Sequence, residues 1–324
     1  MTALLEARNL TRHFRLARDG LFGPRPVLHA VDGVDLAIAP GEALGLVGES
    51  GCGKSTLARL LARLLDPTWG QVFLDGRDIT RDSAARFART AQRRAIQMVF
   101  QDPAESLDPL MTAFELIAEP ARLLSGPMPR TALRGRVEDA AGAAGLAADL
   151  LARLPHQLSE GQRARVGIAR ALVVGPRLLV LDEPASALDV SVQASVLRLL
   201  DRLRREQGVA LLFVSHDLNV VRLLCQRIAV MYLGQIVETG PAADIWENPK
   251  HPYTRALLSA VPRLPGDGAP PVTLEGEPQG PVDPPPSRCR LAGRCFMEQP
   301  RCRTEAPELR NLACGRAVRC HFVE

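Results

Sequence analysis

One run constrains this chain more than any other: Gly48-Glu49-Ser50-Gly51-Cys52-Gly53-Lys54-Ser55, followed by Thr56. It reads G-x-x-x-x-G-K-S, the spacing of a loop that wraps phosphate. Gly48, Gly51 and Gly53 let the backbone curl until the N–H groups around Ser50 and Cys52 point inward. Lys54 brings an ammonium to the outer phosphates, and the Ser55 hydroxyl suits a Mg²⁺ ion. The flanks agree. Ala43–Val47 is a continuous apolar run that reads as a strand, and Thr56–Leu65 is an amphipathic helix. The start of that helix adds partial positive charge at the same spot. Lys54 and Lys250 are the only lysines among 40 Lys and Arg residues. A tight phosphate loop needs a slim point charge where a planar guanidinium would not fit.

Composition closes off several classes. The 324 residues allow a large core plus a small appendage. No apolar run approaches the ~18 residues of a membrane span, and the first residues lack a charged-then-apolar export pattern, so a cytoplasmic protein is expected. A net charge of +4 and an aromatic content of 4% argue against nucleic acid as a partner.

Strand-like runs dominate the first ~45 residues, with turns expected at Asp32-Gly33 and Pro40-Gly41. Residues ~103–157 are helical and interrupted by prolines; 262–287 are crowded with Pro and Gly and read as an extended wrap. Strands at 95–100, 177–182 and 209–214 alternate with helices at 163–173 and 190–207. Such alternation argues an α/β fold with a mostly parallel sheet and helices on its faces.

The strand Leu178–Leu181 ends in Asp182 and Glu183. Acids at the carboxyl end of a buried strand face the nucleotide crevice of such a sheet. Asp182 suits a hold on Mg²⁺ and Glu183 a general base for water. Ser159 can cap the helix that follows it, and the free N–H groups there form an anion site with Gly161 and Gln162.

Leu158-Ser159-Glu160-Gly161-Gln162 resembles the L-S-G-G-Q signature of ATP-binding-cassette (ABC) ATPases. The resemblance extends in family order. Gln101 resembles the Q-loop glutamine, which is catalytic and a Mg²⁺ ligand. Ser186-Ala187-Leu188-Asp189 resembles the D-loop, and His216 the switch histidine. Phe14 resembles the aromatic that stacks on adenine, with His13 as its rival. The resemblance implies catalytic roles for Glu183, His216 and Gln101. It implies a P-loop α/β fold with a mixed sheet core, an antiparallel β subdomain and a helical subdomain at about 103–157. The nucleotide-binding domain would span 1–250 and a small Cys-rich C-terminal extension 251–324.

The segment from Asn248 through His251-Pro252-Tyr253 to Pro262, with Gln101–Pro109, is similar to ATPases of oligopeptide, dipeptide and nickel importers, and within them to the F-type of the two paired subunits. The implied function is an ATP-hydrolysing subunit that powers a bacterial importer of peptides or a related solute. The implied partners are a paralogous ATPase in a heterodimer, two integral-membrane permeases and an extracytoplasmic solute-binding protein. The implied location is the cytoplasmic face of the inner membrane, peripherally bound. A soluble non-transport cassette ATPase and a metal- or redox-sensing ATPase are the alternatives; the first usually carries two cassettes or a long coiled-coil insert. Glu160 stands where the family usually has Gly, and its carboxylate should weaken the contact with a partner's γ-phosphate.

Five of seven cysteines fall in the tail: Cys289, Cys295, Cys302, Cys314 and Cys320. Structural disulfides are not expected in a cytosolic chain, so the cluster reads as a metal site. Zinc sites usually space cysteines at x₂₋₄, and these gaps are wider, which favours a [4Fe–4S] cluster on four thiolates over Zn²⁺. The importer family shows a similar tail, here Cys289-Arg-Leu-Ala-Gly-Arg-Cys295. The expected ligands are Cys289, Cys295, Cys302 and Cys320, with Cys314 spare. Buried reduced thiols are the remaining alternative.

Overall fold

The computed structural model describes residues 3–18, 23–101, 106–186, 188–261, 272–276 and 280–323. Its strands are β1 (Leu5–Arg15), β2 (Val27–Ile38), β3 (Ala43–Val47), β4 (Trp69–Leu74), β5 (Arg77–Asp78), β6 (Ile96–Val99), β7 (Leu178–Asp182), β8 (Ala210–Ser215), β9 (Arg227–Tyr232), β10 (Gln235–Pro241), β11 (Arg310–Asn311) and β12 (Ala317–Val318). The four-stranded sheet runs β2-β1-β4-β5 and is antiparallel. The eight-stranded sheet runs β11-β12-β10-β9-β3-β8-β7-β6. Its half from β9 to β6 is parallel, and its half from β10 outward is antiparallel.

Helix α1 (Lys54–Leu61) lies between the two sheets. Leu57, Ala58, Leu60 and Leu61 share one core with Leu5, Leu10 and Val31 on one side and Leu44, Val180 and Leu212 on the other. β3, β7 and β8 are buried along their whole length, as their unbroken apolar runs require of strands covered on both faces. Each buried Leu or Val there contributes about 1.5–3 kcal/mol.

Two local expectations are corrected. The Asp32-Gly33 dipeptide does not reverse the chain. β2 runs straight through it, and Gly33, at φ +62°, sits where the β1–β2 register shifts. A bulge demands the same left-handed backbone as a hairpin turn. Helix α1 ends at Leu61, not Leu65. Arg63 turns left-handed (φ +53°), and its buried guanidinium donates to the carbonyls of Ile79 and Asp82 and to the Asp66 carboxylate. Those bonds hold the chain away from another helical turn.

After a two-stranded excursion comes the short helix α2 (Ala84–Phe87). The helical part follows, with α3 (Ala113–Leu124), α4 (Arg130–Ala143) and, beyond two short 3₁₀ turns, α5 (Glu160–Leu172). Leu116 and Ile117 pack in one core with Val137, Ala140, Val166 and Ile168. A Thr112–Glu115 capping box starts α3. Helices α6 (Val190–Gln207), α7 (Leu218–Leu224) and α8 (Ala242–Glu247) cover the core sheet, and α9 (Pro252–Ser259) opens the extension. The short α10 (Arg301–Thr304) lies within it.

The extension is stitched to the core. β12 pairs with β10, and Val282 bridges to Leu28. Arg316 donates to the buried Glu238 carboxylate at 2.8 Å. Of the Pro- and Gly-rich stretch, 262–271 and 277–279 lie outside the described residues.

Candidate functional site

The loop between β3 and α1 has the form its glycines permit. Gly53 stands at φ +106°, and a Cβ there would meet the Ala30 carbonyl oxygen at 2.0 Å. Only glycine fits. Lys54 is buried, and its Nζ donates to the carbonyls of Gly48 at 2.7 Å and Glu49 at 2.9 Å. The ammonium is thus held over the loop, aimed by groups that a phosphate can replace. Ser50 and Gly51 are at the exposed tip and Cys52 is buried beneath it. Burial pushes the Cys52 thiol up, so it is a packing residue rather than a nucleophile. Ser55 and Thr56 lie in the first turn of α1.

The acids arrive from β7. Ser55 Oγ donates to Asp182 Oδ1 at 3.0 Å, bringing together two groups 127 positions apart. Burial pushes the Asp182 carboxyl up from its ordinary value, against the Ser55 hydrogen bond and the charge of Arg59. A divalent cation beside it would offset that cost.

Glu183 follows at φ +48°, a conformation rare outside glycine, and its N–H donates to the Val214 carbonyl at 3.1 Å. The turn sends its carboxylate toward two other elements. His216 Nδ1, just past β8, lies 3.1 Å from Glu183 Oε2, and Gln101 Nε2, just past β6, donates to the same oxygen at 3.4 Å. The strands thus deliver three of the expected residues to one point at the carboxyl edge of the sheet. Gln101's described contact is with Glu183 rather than with Ser55 or Asp182.

Ser159, Gly161 and Gln162 form the start of α5. Ser159 Oγ accepts from the Gln162 N–H, and the Gln162 side chain accepts from the Ser159 N–H. Gly161 is fixed by packing, because a Cβ would come within 2.5 Å of Val192 Cγ1. Glu160 is exposed, 3.9 Å from Arg163. Asp189 caps α6 by accepting from the N–H groups of Ser191 and Val192, both at 3.0 Å; Ala187 beside it lies outside the described residues. Apart from the packing of Gly161 on Val192, these contacts are local.

At the other end of β1, His13 is committed elsewhere. Its ring stacks on His29 at 3.7 Å, and Nε2 lies 3.0 Å from Asp32. Phe14 has the Arg12 guanidinium over one face at 4.6 Å. The His13–His29–Asp32 group was not legible as a cluster. Arg290 of the extension pairs with Asp32, so a cation already occupies the carboxylate.

Cys289, Cys295, Cys302 and Cys320 line one small cavity with His251 and Phe322, while Cys314 is exposed and apart. Cys289 N–H donates to the Cys302 carbonyl at 2.9 Å, and Met297 N–H points at Cys295 Sγ at 3.4 Å. Burial raises the Cys289 and Cys320 thiols and pushes Cys295 up to about 11.

Sequence reasoning missed the contacts that tie this extension to the phosphate loop. Glu49 N–H donates to Tyr253 Oη at 2.8 Å across 204 positions, and Arg294 reaches Glu49 Oε2 at 3.5 Å. The only available signal was the His251-Pro252-Tyr253 segment itself.

Residues 31–186 match the ABC transporter family, and residues 237–302 match the oligopeptide/dipeptide transporter C-terminal region. The chain is 46% identical over 312 residues to the oligopeptide transport ATP-binding protein OppF of Escherichia coli K12, covering 94% of this chain and 92% of that one. It is 43% identical over 325 residues to the di/tripeptide transport ATP-binding protein DppF of Pseudomonas aeruginosa, covering 100% and 99%. A solved dimeric ATP-binding cassette in a post-hydrolysis state, bound to ADP and Pi, superposes with a TM-score of 0.66 at 30% identity, covering 74% of this chain and 98% of that one.

Proposed function

We infer the workings of this chain from one premise: it belongs to the ABC ATPases of the oligopeptide and dipeptide transporters. It is the ATP-hydrolysing subunit that powers an importer of peptides or a related solute. The observation that carries this is the convergence on one edge of the sheet of the phosphate loop, the Ser55–Asp182 pair and Glu183 beside His216.

The residue roles follow. Backbone N–H groups from Ser50 to Thr56 receive the phosphates, and Lys54 exchanges its loop carbonyls for the outer oxygens. Ser55 and Asp182 would hold Mg²⁺, with Gln101 joining them once it leaves Glu183, and the ion would neutralise charge on the transferred phosphoryl group. Glu183 orients and deprotonates the attacking water, and His216 fixes the Glu183 carboxylate and contacts the γ-phosphate. Phe14 carries the adenine. Ser159, Gly161, Gln162 and Asp189 serve a nucleotide held by the phosphate loop of a second, paralogous subunit. The local character of the hydrogen bonds of Ser159, Gln162 and Asp189 supports that division, since one chain alone leaves the signature's anion site facing outward.

Two permeases receive the chain at the cytoplasmic face of the bacterial inner membrane, and an extracytoplasmic binding protein delivers the solute. No described helix is long and apolar enough to cross a membrane, so attachment runs through partners. The helical part carries two strongly exposed leucines, Leu110 (86%) and Leu123 (74%), which suit docking of a short permease helix.

Cys289, Cys295, Cys302 and Cys320, which line one cavity, would hold a [4Fe–4S] cluster, and the cluster would lend folding energy to a tail poor in apolar residues. Their spacing supports this over zinc. Four sulfurs around one zinc would stand about 3.8 Å apart. Among the described residues, only His13, His29 and Asp32 bring three such ligand atoms within 4.8 Å of one another. No three of the four sulfurs therefore stand as close together as zinc ligands would, a spread that reduced thiols without a metal share.

Reconstitution with both permeases and the partner ATPase tests the main reading. Peptide uptake should depend on ATP and on Lys54. Uptake that persists with Lys54→Ala would refute it.

A further inference from the structure

Glu49 is held from three directions. Its N–H donates to Tyr253 Oη at 2.8 Å, its carbonyl accepts from Lys54 Nζ at 2.9 Å, and its carboxylate faces Arg294 at 3.5 Å. Two of these three groups belong to the extension. Tyr253 is fully buried in the first turn of α9, and its ring lies 4.5 Å from that of Tyr232. His251 sets that turn by accepting from the Tyr253 N–H, and its own N–H is held by Glu238. Arg294 directly precedes Cys295 and donates to Tyr232 Oη at 2.9 Å. The cysteine cavity and the phosphate loop are thus joined by two short routes, through Tyr253 and through Arg294, which share Tyr232 as a neighbour.

A buried hydroxyl at a fixed place is a strong constraint on the loop. A backbone N–H with no acceptor would cost the loop this conformation. The carbonyl of that same peptide unit, Gly48's, accepts from Lys54 Nζ at 2.7 Å, and the Glu49 carbonyl of the next accepts at 2.9 Å. We propose that Tyr253 and Arg294 are positioning residues of the ATP site: by holding Glu49 they preset the phosphate loop and Lys54 for nucleotide, so that the extension is a working part of ATP binding rather than an appendage.

The inference rests on the ATPase reading, and its test separates the two. The full chain is titrated with a fluorescent ribose-labelled ATP, and KM and kcat are measured in the reconstituted transporter. If the unmodified chain binds no nucleotide, the ATPase reading fails. If it binds, Tyr253→Phe should raise Kd and KM about 2- to 12-fold, the scale of one lost neutral hydrogen bond. Arg294→Ala, acting through a partly exposed contact, should raise them up to about 5-fold, and Arg294→Lys should restore them. In both variants kcat should change less than KM, as for a lost binding contact. A merely structural role would instead lower the active fraction, hence kcat, at constant KM, and that result overturns the proposal. A double-mutant cycle of Arg294→Ala with Glu49→Gln tests the route without Tyr253. Non-additive effects on KM support the proposal, and strictly additive ones refute it.

Discussion

The Glu183 carboxylate meets His216 Nδ1 at 3.1 Å, although 33 positions separate the two residues. β7 and β8 are neighbours in parallel register, so the residues that leave their carboxyl ends arrive together. Glu183→Gln should retain ATP binding and cut turnover about 10²–10⁴-fold, the scale of a lost general base. His216→Ala should lower turnover with Glu183 intact. Single-turnover hydrolysis with and without each change is the check, and near-normal hydrolysis by Glu183→Gln would remove it from its assigned role.

Glu160 predicts asymmetry between the two ATP sites of a heterodimer. Its carboxylate is exposed at the start of α5, where it favours the helix but opposes an incoming phosphate. Glu160→Gly should raise nucleotide affinity at the partner's phosphate loop and leave this chain's own Lys54 site unaffected. Site-resolved nucleotide occupancy measures it; equal occupancy before and after would make the substitution neutral.

The cysteine cavity predicts a coloured protein. Anaerobically purified chain should absorb broadly near ~400 nm and contain about four irons. Cys302→Ala should bleach it and Cys314→Ala should not, because Cys314 is exposed and does not line the cavity. A colourless chain with one zinc would favour the alternative ion.

Asp32 predicts an acid-sensitive tie between the extension and the first sheet. Burial alone would raise its carboxyl, but the Arg290 charge and the hydrogen bonds of His13 and His29 more than offset this and hold it below its ordinary value of 3.8. A folded value below the unfolded one gives stability that is present above pH ~4 and lost as pH falls through the folded value. Asp32→Asn should therefore lower the thermal midpoint at pH 7, and the gap to the unmodified chain should narrow as pH drops below ~4. A gap that widens on acidification would reverse the assigned sign.

Leu110 and Leu123 predict the permease contact. Asp108 orients the first of them by accepting from the Leu110 N–H at 2.9 Å. Leu110→Asp should leave ATP binding intact and uncouple hydrolysis from uptake, and so should reversing the charge of Asp108. The sequence also offers Glu105 in the same segment as a charge to reverse, and that residue lies outside the described ones. Crosslinks from the permeases to the extension alone would contradict this docking site.

What could be read in advance depended on how far each signal reaches along the chain. The phosphate loop was legible because strand, loop and helix are contiguous. β3, β7 and β8 were legible because full burial leaves an unbroken apolar run. Gln101 and His216 have no local mark and were placed by resemblance alone. Gly33 was misread because a bulge and a hairpin turn ask the same backbone of glycine. Arg63 was missed because nothing in a helical pattern announces that its guanidinium will turn to other carbonyls. The Tyr253–Glu49 bond spans 204 positions and depends on the finished fold.

The Arg316–Glu238 pair bears on how the molecule is made. Glu238 is fully buried, and Arg316 lies 78 positions later. At ~5–20 residues per second, the ribosome delivers the acid ~4–16 s before its cation. During that interval β10 has a bare edge and an unneutralised carboxylate in the place folding will bury. Until then, among the described residues, the carboxylate has only the Lys250 and His251 N–H groups to hold it, so a chain truncated before Arg316 should keep β10 paired to β9 but bury Glu238 without its cation.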